Sequence, residues 1–200
     1  MSKRRMSLVV VACCGFAFAA GFVAAPTGQP DDGAMMQAMA RATTVGEHHK
    51  ALEPLLGNWE GTVKFWMAPD AEPQEFHGSI HREWALDGRY IFEHVTSEMP
   101  GGSTFRGMGI IGYNTVENVY ESVWLENQST YMSFMTGKMD PEKHTMSFTG
   151  KILDPVSGQR NKNSDTLNMS DPKRHVSVGY SRTPDGKEYK CFEGVMEKVD

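Results

Sequence analysis

Cysteine is scarce in this chain. There are three in 200 residues, and Cys13 and Cys14 both fall inside the apolar N-terminal stretch, which leaves Cys191 alone. A lone thiol closes no internal disulfide, so whatever folds after residue 25 is held by its core. Basic charge is also short, with 20 Lys plus Arg against 25 Asp plus Glu and a formal net charge of −5. That balance offers no surplus of cations for phosphates and argues against nucleic acid as a partner. The Walker loop, HExxH, GxSxG and paired CxxC motifs are all missing, so no catalytic residue, metal or cofactor is assigned. With 40% hydrophobic residues, Gly 20 and Pro 10, the composition excludes wholesale disorder and collagen-like repeats.

What is there begins with an export signal. Lys3, Arg4 and Arg5 precede an uncharged run from Met6 to Ala25, closed by Ala17-Phe18-Ala19 or Val23-Ala24-Ala25 as cleavage sites. Residues 1–25 read as a secretory signal peptide, placing the mature protein in the periplasm or outside the cell. About 20 apolar residues also suffice for an uncleaved anchor through residues 6–25, the one route to membrane contact. Val10-Val11-Ala12-Cys13 loosely matches a lipobox, but the apolar run continues well past Cys13. Removing the three basic residues leaves 17 Lys plus Arg against 25 Asp plus Glu.

Residues 26–43 form a polar lead with a short Ala- and Met-rich helix over 34–42, and residues 44–200 form the folded domain. Thr44 and Glu47 have the spacing of a capping box for a second helix, which Pro54 ends. His48 and His49 fall on its early turns and read as surface. From Trp59 onward, strand follows strand: about 59–67, 74–86, 89–99, 104–113, 119–127, 130–139, 144–153, 159–169, 174–183 and 187–198. Turn clusters such as Asp87-Gly88, Pro100-Gly101-Gly102 and Pro184-Asp185-Gly186 punctuate them. Many short strands at even spacing, with no helical pattern between, predict an all-β antiparallel up-and-down β-barrel of about ten strands. Closure removes the edges that an open sheet would leave. Cys191 lies within the last strand and reads as a small packing residue, not a nucleophile.

Gly57-Asn58-Trp59, opening the first strand after a short helix, resembles the calycin superfamily of lipocalins and fatty-acid-binding proteins. Gly46-Glu47-His48-His49-Lys50, Leu55-Leu56-Gly57-Asn58-Trp59, Arg82-Glu83-Trp84-Ala85-Leu86-Asp87-Gly88-Arg89, Gly109-Ile110-Ile111-Gly112-Tyr113-Asn114 and Pro184-Asp185-Gly186-Lys187-Glu188 together resemble a bacterial domain of unknown function, DUF1579. The likeness covers roughly residues 35–200. It implies a calycin-like barrel and no activity. Nitrobindins, haem-binding relatives of similar opening, carry a late His on the iron. The last strand here has none, and the nearest late candidate is His175.

Hairpin geometry assigns the two faces of the barrel wall. A two-residue loop at Asp87-Gly88 sets Trp84 opposite Ile91, Arg82 opposite Glu93 and His81 opposite His94. Continuing through Pro100–Ser103 sets Val95 beside Met108, and a five-residue loop then sets Met108 opposite Trp124 and Arg106 opposite Glu126. One face thus collects Trp84, Ile91, Val95, Met108, Ile110, Tyr120, Trp124, Tyr131, Met135, Met146, Phe148 and Ile152. The other carries Phe105, Val123, Leu125 and Phe134. The first is the expected interior, with Arg82, Trp84, Glu93, Arg106, Met108, Trp124 and Glu126 as ligand-binding candidates. Either arginine could receive an anionic group in a planar two-bond fork, or each could simply be satisfied by its glutamate.

The leading expectation is non-catalytic binding of a small apolar or amphipathic molecule. An enzyme would use Glu93 or Glu126 as general base, or a metal at His81, His94 and Glu83, two imidazoles and a carboxylate with an open position. An envelope interaction module would use the outer face.

Overall fold

The computed structural model describes residues 31–99, 101–155 and 157–199. The export segment at 1–25 and the start of the polar lead lie outside these residues. Among the described residues no helix is long and apolar enough to cross a membrane.

Ten antiparallel strands close into one barrel in which each strand pairs with its neighbours in sequence and β10 returns to β1. They are β1 (Gly57–Phe65), β2 (Gln74–Ala85), β3 (Tyr90–Glu98), β4 (Thr104–Asn114), β5 (Val119–Glu126), β6 (Ser133–Asp140), β7 (Thr145–Leu153), β8 (Arg160–Asp171), β9 (Arg174–Arg182) and β10 (Glu188–Val199). Closure satisfies every strand edge without a partner chain. The all-β, ten-strand expectation holds, and the short helical segment is in place.

Helix α1 (Asp32–Thr43) starts where Asp31 accepts a hydrogen bond from the Gly33 amide at 3.3 Å, and it buries none of its residues. It is tied to the barrel by its C-terminal carbonyls: Thr43 accepts from Arg89 at 3.1 Å and Arg41 from Thr115 at 2.7 Å. Thr44 does not cap the next helix. Its hydroxyl turns back to the Ala40 carbonyl at 2.6 Å, closing α1 instead. Helix α2 (Glu47–Lys50) begins at Gly46, whose amide donates to His49 Nδ1 at 3.2 Å. His49 is therefore buried, contrary to its surface reading, and burial lowers its pKa, with Arg89 and His48 adding to that.

A 3-10 turn over Glu53–Leu55 follows α2 and presses Leu52 and Leu55 into one end of the barrel, where both are fully buried. Trp59 Nε1 donates to the Leu55 carbonyl at 2.9 Å and Tyr120 donates to the His48 carbonyl at 3.1 Å. Two wall residues thus hold this plug by its backbone, satisfying carbonyls that the short helices leave free. Around it pack Ile91, Ile111, Tyr120, Met135, Met146, Phe148 and Met169.

The β2–β3 register is the expected one, with Arg82 opposite Glu93, Trp84 opposite Ile91 and His81 opposite His94. The turn that sets it is longer than two residues: Ala85 pairs with Tyr90, and Leu86, Asp87 and Gly88 all take positive φ. Strand β4 departs from expectation. Met99 donates to the Ser103 carbonyl at 2.8 Å, so this connection is one residue shorter and Val95 pairs with Gly107, not Met108. Asn114 pairs with Val119, so the next loop is also one residue shorter and Met108 pairs with Leu125, not Trp124. Side chains alternate along a strand, so the first slip turns β4 over and the second restores β5. Arg106, Met108 and Ile110 consequently lie on the outer face, and Phe105 and Ile111 point inward.

Candidate functional site

The inward-facing residues fall into two sets along the barrel axis. Near the plug they are packed dry: Trp59, Ile91 and Met146 are fully buried, and Tyr120, Met169 and Met196 nearly so. Toward the opposite mouth the inward set is Phe65, Val95, Phe105, Trp124, Glu126, Ser133, Asn161, Asn163, Asp165, Ser181, Tyr189 and Phe192. Every one of these keeps some solvent exposure. Side chains that point into a closed barrel and keep some exposure are not packed dry, which makes this half the candidate cavity.

Glycines shape its wall. The Trp124 ring lies over Gly107, where a Cβ would come within 2.3 Å of a ring carbon. Trp124 is further held by its Nε1, which donates to Glu126 at 3.1 Å, and by stacking with Phe105 at 6.4 Å between centroids. Aromatic rings fixed in this way present flat apolar surface at low entropic cost. Phe65 packs on Phe192 at 5.2 Å and on Phe76 at 6.1 Å, forming a second aromatic group on the other side of the sequence closure.

Asp165 sits midway along β8, between Phe148 on β7 and Gly179 on β9. Its carboxylate lies against the Gly179 Cα, where a Cβ would come within 2.8 Å of Oδ1. It makes no hydrogen bond or ion pair with any described residue, and burial pushes its pKa up to about 6. The nearby Cys191 lies where β10 carries an irregularity between Lys190 and Phe192. Burial first, and Asp165 second, raise its thiol to about 11, so at neutral pH it is a protonated and unreactive group.

The expected site residues do not form one constellation. Arg82 and Glu93 form a buried ion pair at the plugged end, joined from Nε to Oε2 and 7% and 12% exposed. Trp84 packs against the plugged core. Trp124 and Glu126 line the open half. Arg106 is exposed on the outer wall, where only its backbone bonds Asn127, and Met108 is 40% exposed there. The Arg106–Glu126 pair is not formed, because Glu126 faces Gly107. The outer groove at His81 and His94 is occupied by its own hydrogen bonds. His81 Nδ1 meets Asn58 at 2.7 Å, and its Nε2 lies 3.8 Å from Glu83. Among the described residues no three His, Cys, Asp or Glu side chains are placed to hold a metal.

His175 is 1% exposed at the plugged end, stacked on Trp59 at 4.0 Å between centroids, with neither ring nitrogen hydrogen-bonded. Burial, then the Arg82 charge, pushes its pKa down to about 4, so it is neutral at physiological pH. Sequence reasoning left out Asp165, because the hairpin registers were not carried into the strand that holds Asn161, Asn163 and Asp165. The usable signal was that every Lys and Arg of that strand falls on the alternate positions.

The geometry is that of a calycin-like barrel plugged at one end and water-accessible at the other. The chain belongs to the family described as Protein of unknown function (DUF1579), whose family model matches residues 44–198. Among curated proteins none matches the sequence. Among solved structures it is similar to Rv2717c from M. tuberculosis, with TM-score 0.57 and 13% identity, covering 78% of this chain and 100% of that one. It is also similar to the S-type phycobiliprotein lyase CPES from Guillardia theta, with TM-score 0.53 and 11% identity, covering 82% of this chain and 97% of the other. Likeness at these identities carries the fold alone.

Proposed function

We propose that this chain is an exported binding protein that holds a small, mainly apolar molecule in the open half of its barrel, without acting on it chemically. One observation carries the reading: Phe65, Phe105, Trp124 and Phe192 point into a closed barrel yet stay partly exposed, Phe65 by 37%. Leaving such rings wet forgoes the roughly 25 cal/mol per Å² that burial returns, and an apolar ligand recovers it. The plugged end sets the depth of the site, and nothing in the fold requires the open half to collapse. Export is proposed from the charge and apolar pattern of residues 1–25.

The test is a titration of the purified protein with the neutral fluorophore N-phenyl-1-naphthylamine, following tryptophan quenching and its loss in Trp124→Phe. A native mass spectrum should be recorded beside a denatured one. Saturable binding in about the micromolar range, near 8 kcal/mol, and added mass that vanishes on denaturation support the reading. No saturation together with bare polypeptide mass overturns it. For export, the secreted form should begin just after Ala19 or Ala25, and an intact Met1 in the mature protein would refute cleavage.

A further inference from the structure

The charges inside the open half are all of one sign. Its inward-facing side chains include two carboxylates, Asp165 and Glu126, and among the described residues no lysine or arginine. Lys190 and Arg182, close to the mouth, sit on outward-facing strand positions. Lys190 sits over the Trp66 ring at 4.2 Å and bonds Glu193 at 2.7 Å, and Arg182 bonds Glu188 at 3.1 Å. Arg106 is outside, and Arg82 is closed off by Glu93 at the plugged end. An anionic ligand group therefore has no counter-charge in the cavity.

The two inward carboxylates differ in their state. Glu126 accepts the Trp124 indole hydrogen and is spoken for. Asp165 has no donor among the described residues, and it stands beside the Phe148 ring and the Gly179 backbone, which offer it none. A partly buried carboxylate with no donor is a costly group, and what relieves it is a positive, hydrogen-bonding partner. Gly179 contributes directly, since a side chain there would press on Oδ1 and turn the carboxylate from its present position.

We propose that the molecule held in the open half carries a protonated amine that docks on the Asp165 carboxylate while its apolar body lies against Trp124 and Phe105; this rests on the binding reading above. The cavity thus selects a cationic amphiphile over a neutral or anionic one of the same shape.

Three probes with one apolar body test it: 2-naphthylmethylamine, 2-naphthylmethanol and 2-naphthoate, each titrated calorimetrically into the protein at pH 7.5. The amine is expected to bind roughly tenfold or more tighter than the alcohol, the ratio that one charge-assisted hydrogen bond supplies, with naphthoate weakest. Asp165→Asn should bring the amine to within about threefold of the alcohol, since the amide keeps the carboxylate's shape but not its charge. Equal affinities of amine and alcohol, or a preference that survives Asp165→Asn, overturn the amine inference and leave the binding cavity standing. Saturation by none of the three overturns both. The wild-type comparison needs no variant, so a poorly folding Asp165→Asn protein would not shield the inference.

Discussion

The two ends of this barrel handle buried polarity in opposite ways. At the plugged end Arg82 and Glu93 neutralise each other within a wall of Trp59, Ile91 and Met146, and His175 is held neutral by its surroundings. At the open end Asp165 has no donor among the described residues and the aromatic rings remain partly exposed. The same ten strands build both, so strand pairing does not make the difference; α2 and the 3-10 turn make it by filling one mouth with Leu52 and Leu55. A plug converts barrel interior into core. Where no plug enters, the interior stays a place for something else, and groups that would be defects in a core become binding groups.

If the plugged end carries the stability, perturbing it should cost far more than perturbing the mouth. Arg82→Met leaves Glu93 charged and nearly buried, and should destabilise by about 3–5 kcal/mol. A chemical denaturation midpoint close to wild type would show that the pair is not structural. Leu55→Ala empties the centre of the plug and should cost about 2–5 kcal/mol, read in the same experiment. In the open half, Asn163→Ala should stay within about 0.5 kcal/mol of wild type. A loss comparable to that of Leu55→Ala would erase the distinction between the two halves.

Acid sharpens the contrast, because the two ends respond with opposite sign. His175 has its folded pKa depressed to about 4 from an ordinary 6.5. Its contribution is full above pH 6.5 and is lost as pH falls toward 4, on the order of 3 kcal/mol in all. Stability curves of wild type and His175→Leu between pH 7 and 4 check this: the variant should lack that part of the acid loss. Parallel curves would mean that His175 takes up a proton without difficulty.

The barrel itself was legible because turn residues recur every 12 to 16 positions and the stretches between them alternate. The site was less so, for a reason visible in β4. Which face a strand shows depends on whether its connecting loop has an odd or even number of paired steps, and the loops around Gly101-Gly102 and Thr115–Asn118 each close one residue tighter than composition suggests. Arg106 and Met108 were therefore assigned inward, although the strand's own pattern favours the reverse. Gly107 and Gly109 are the small residues that Trp124 and Glu93 need beside them. Asp165 was hidden differently, since a polar inner face is indistinguishable from a polar outer one until the strand is paired.

A modest expected effect is the most discriminating. Asp165 has its folded pKa raised to about 6 by burial, above its unfolded 3.8. The protonated form therefore favours folding, and that favour is lost as pH rises through 6. At pH 7 the empty protein carries on the order of 3 kcal/mol of this penalty, and Asp165→Asn should recover about 1 kcal/mol of it, raising the melting temperature by ~2–4 °C, because a partly buried amide keeps part of the desolvation cost. The gain should shrink as pH falls through 6, where the wild-type side chain protonates. Across this window its neighbours stay constant: Phe148 and Gly179 carry no charge, and the Cys191 thiol keeps its proton. A group kept for stability would show the reverse, with Asn lowering the melting temperature at every pH. A destabilised Asp165→Asn protein would therefore make Asp165 part of the core and move the boundary between the two halves above it.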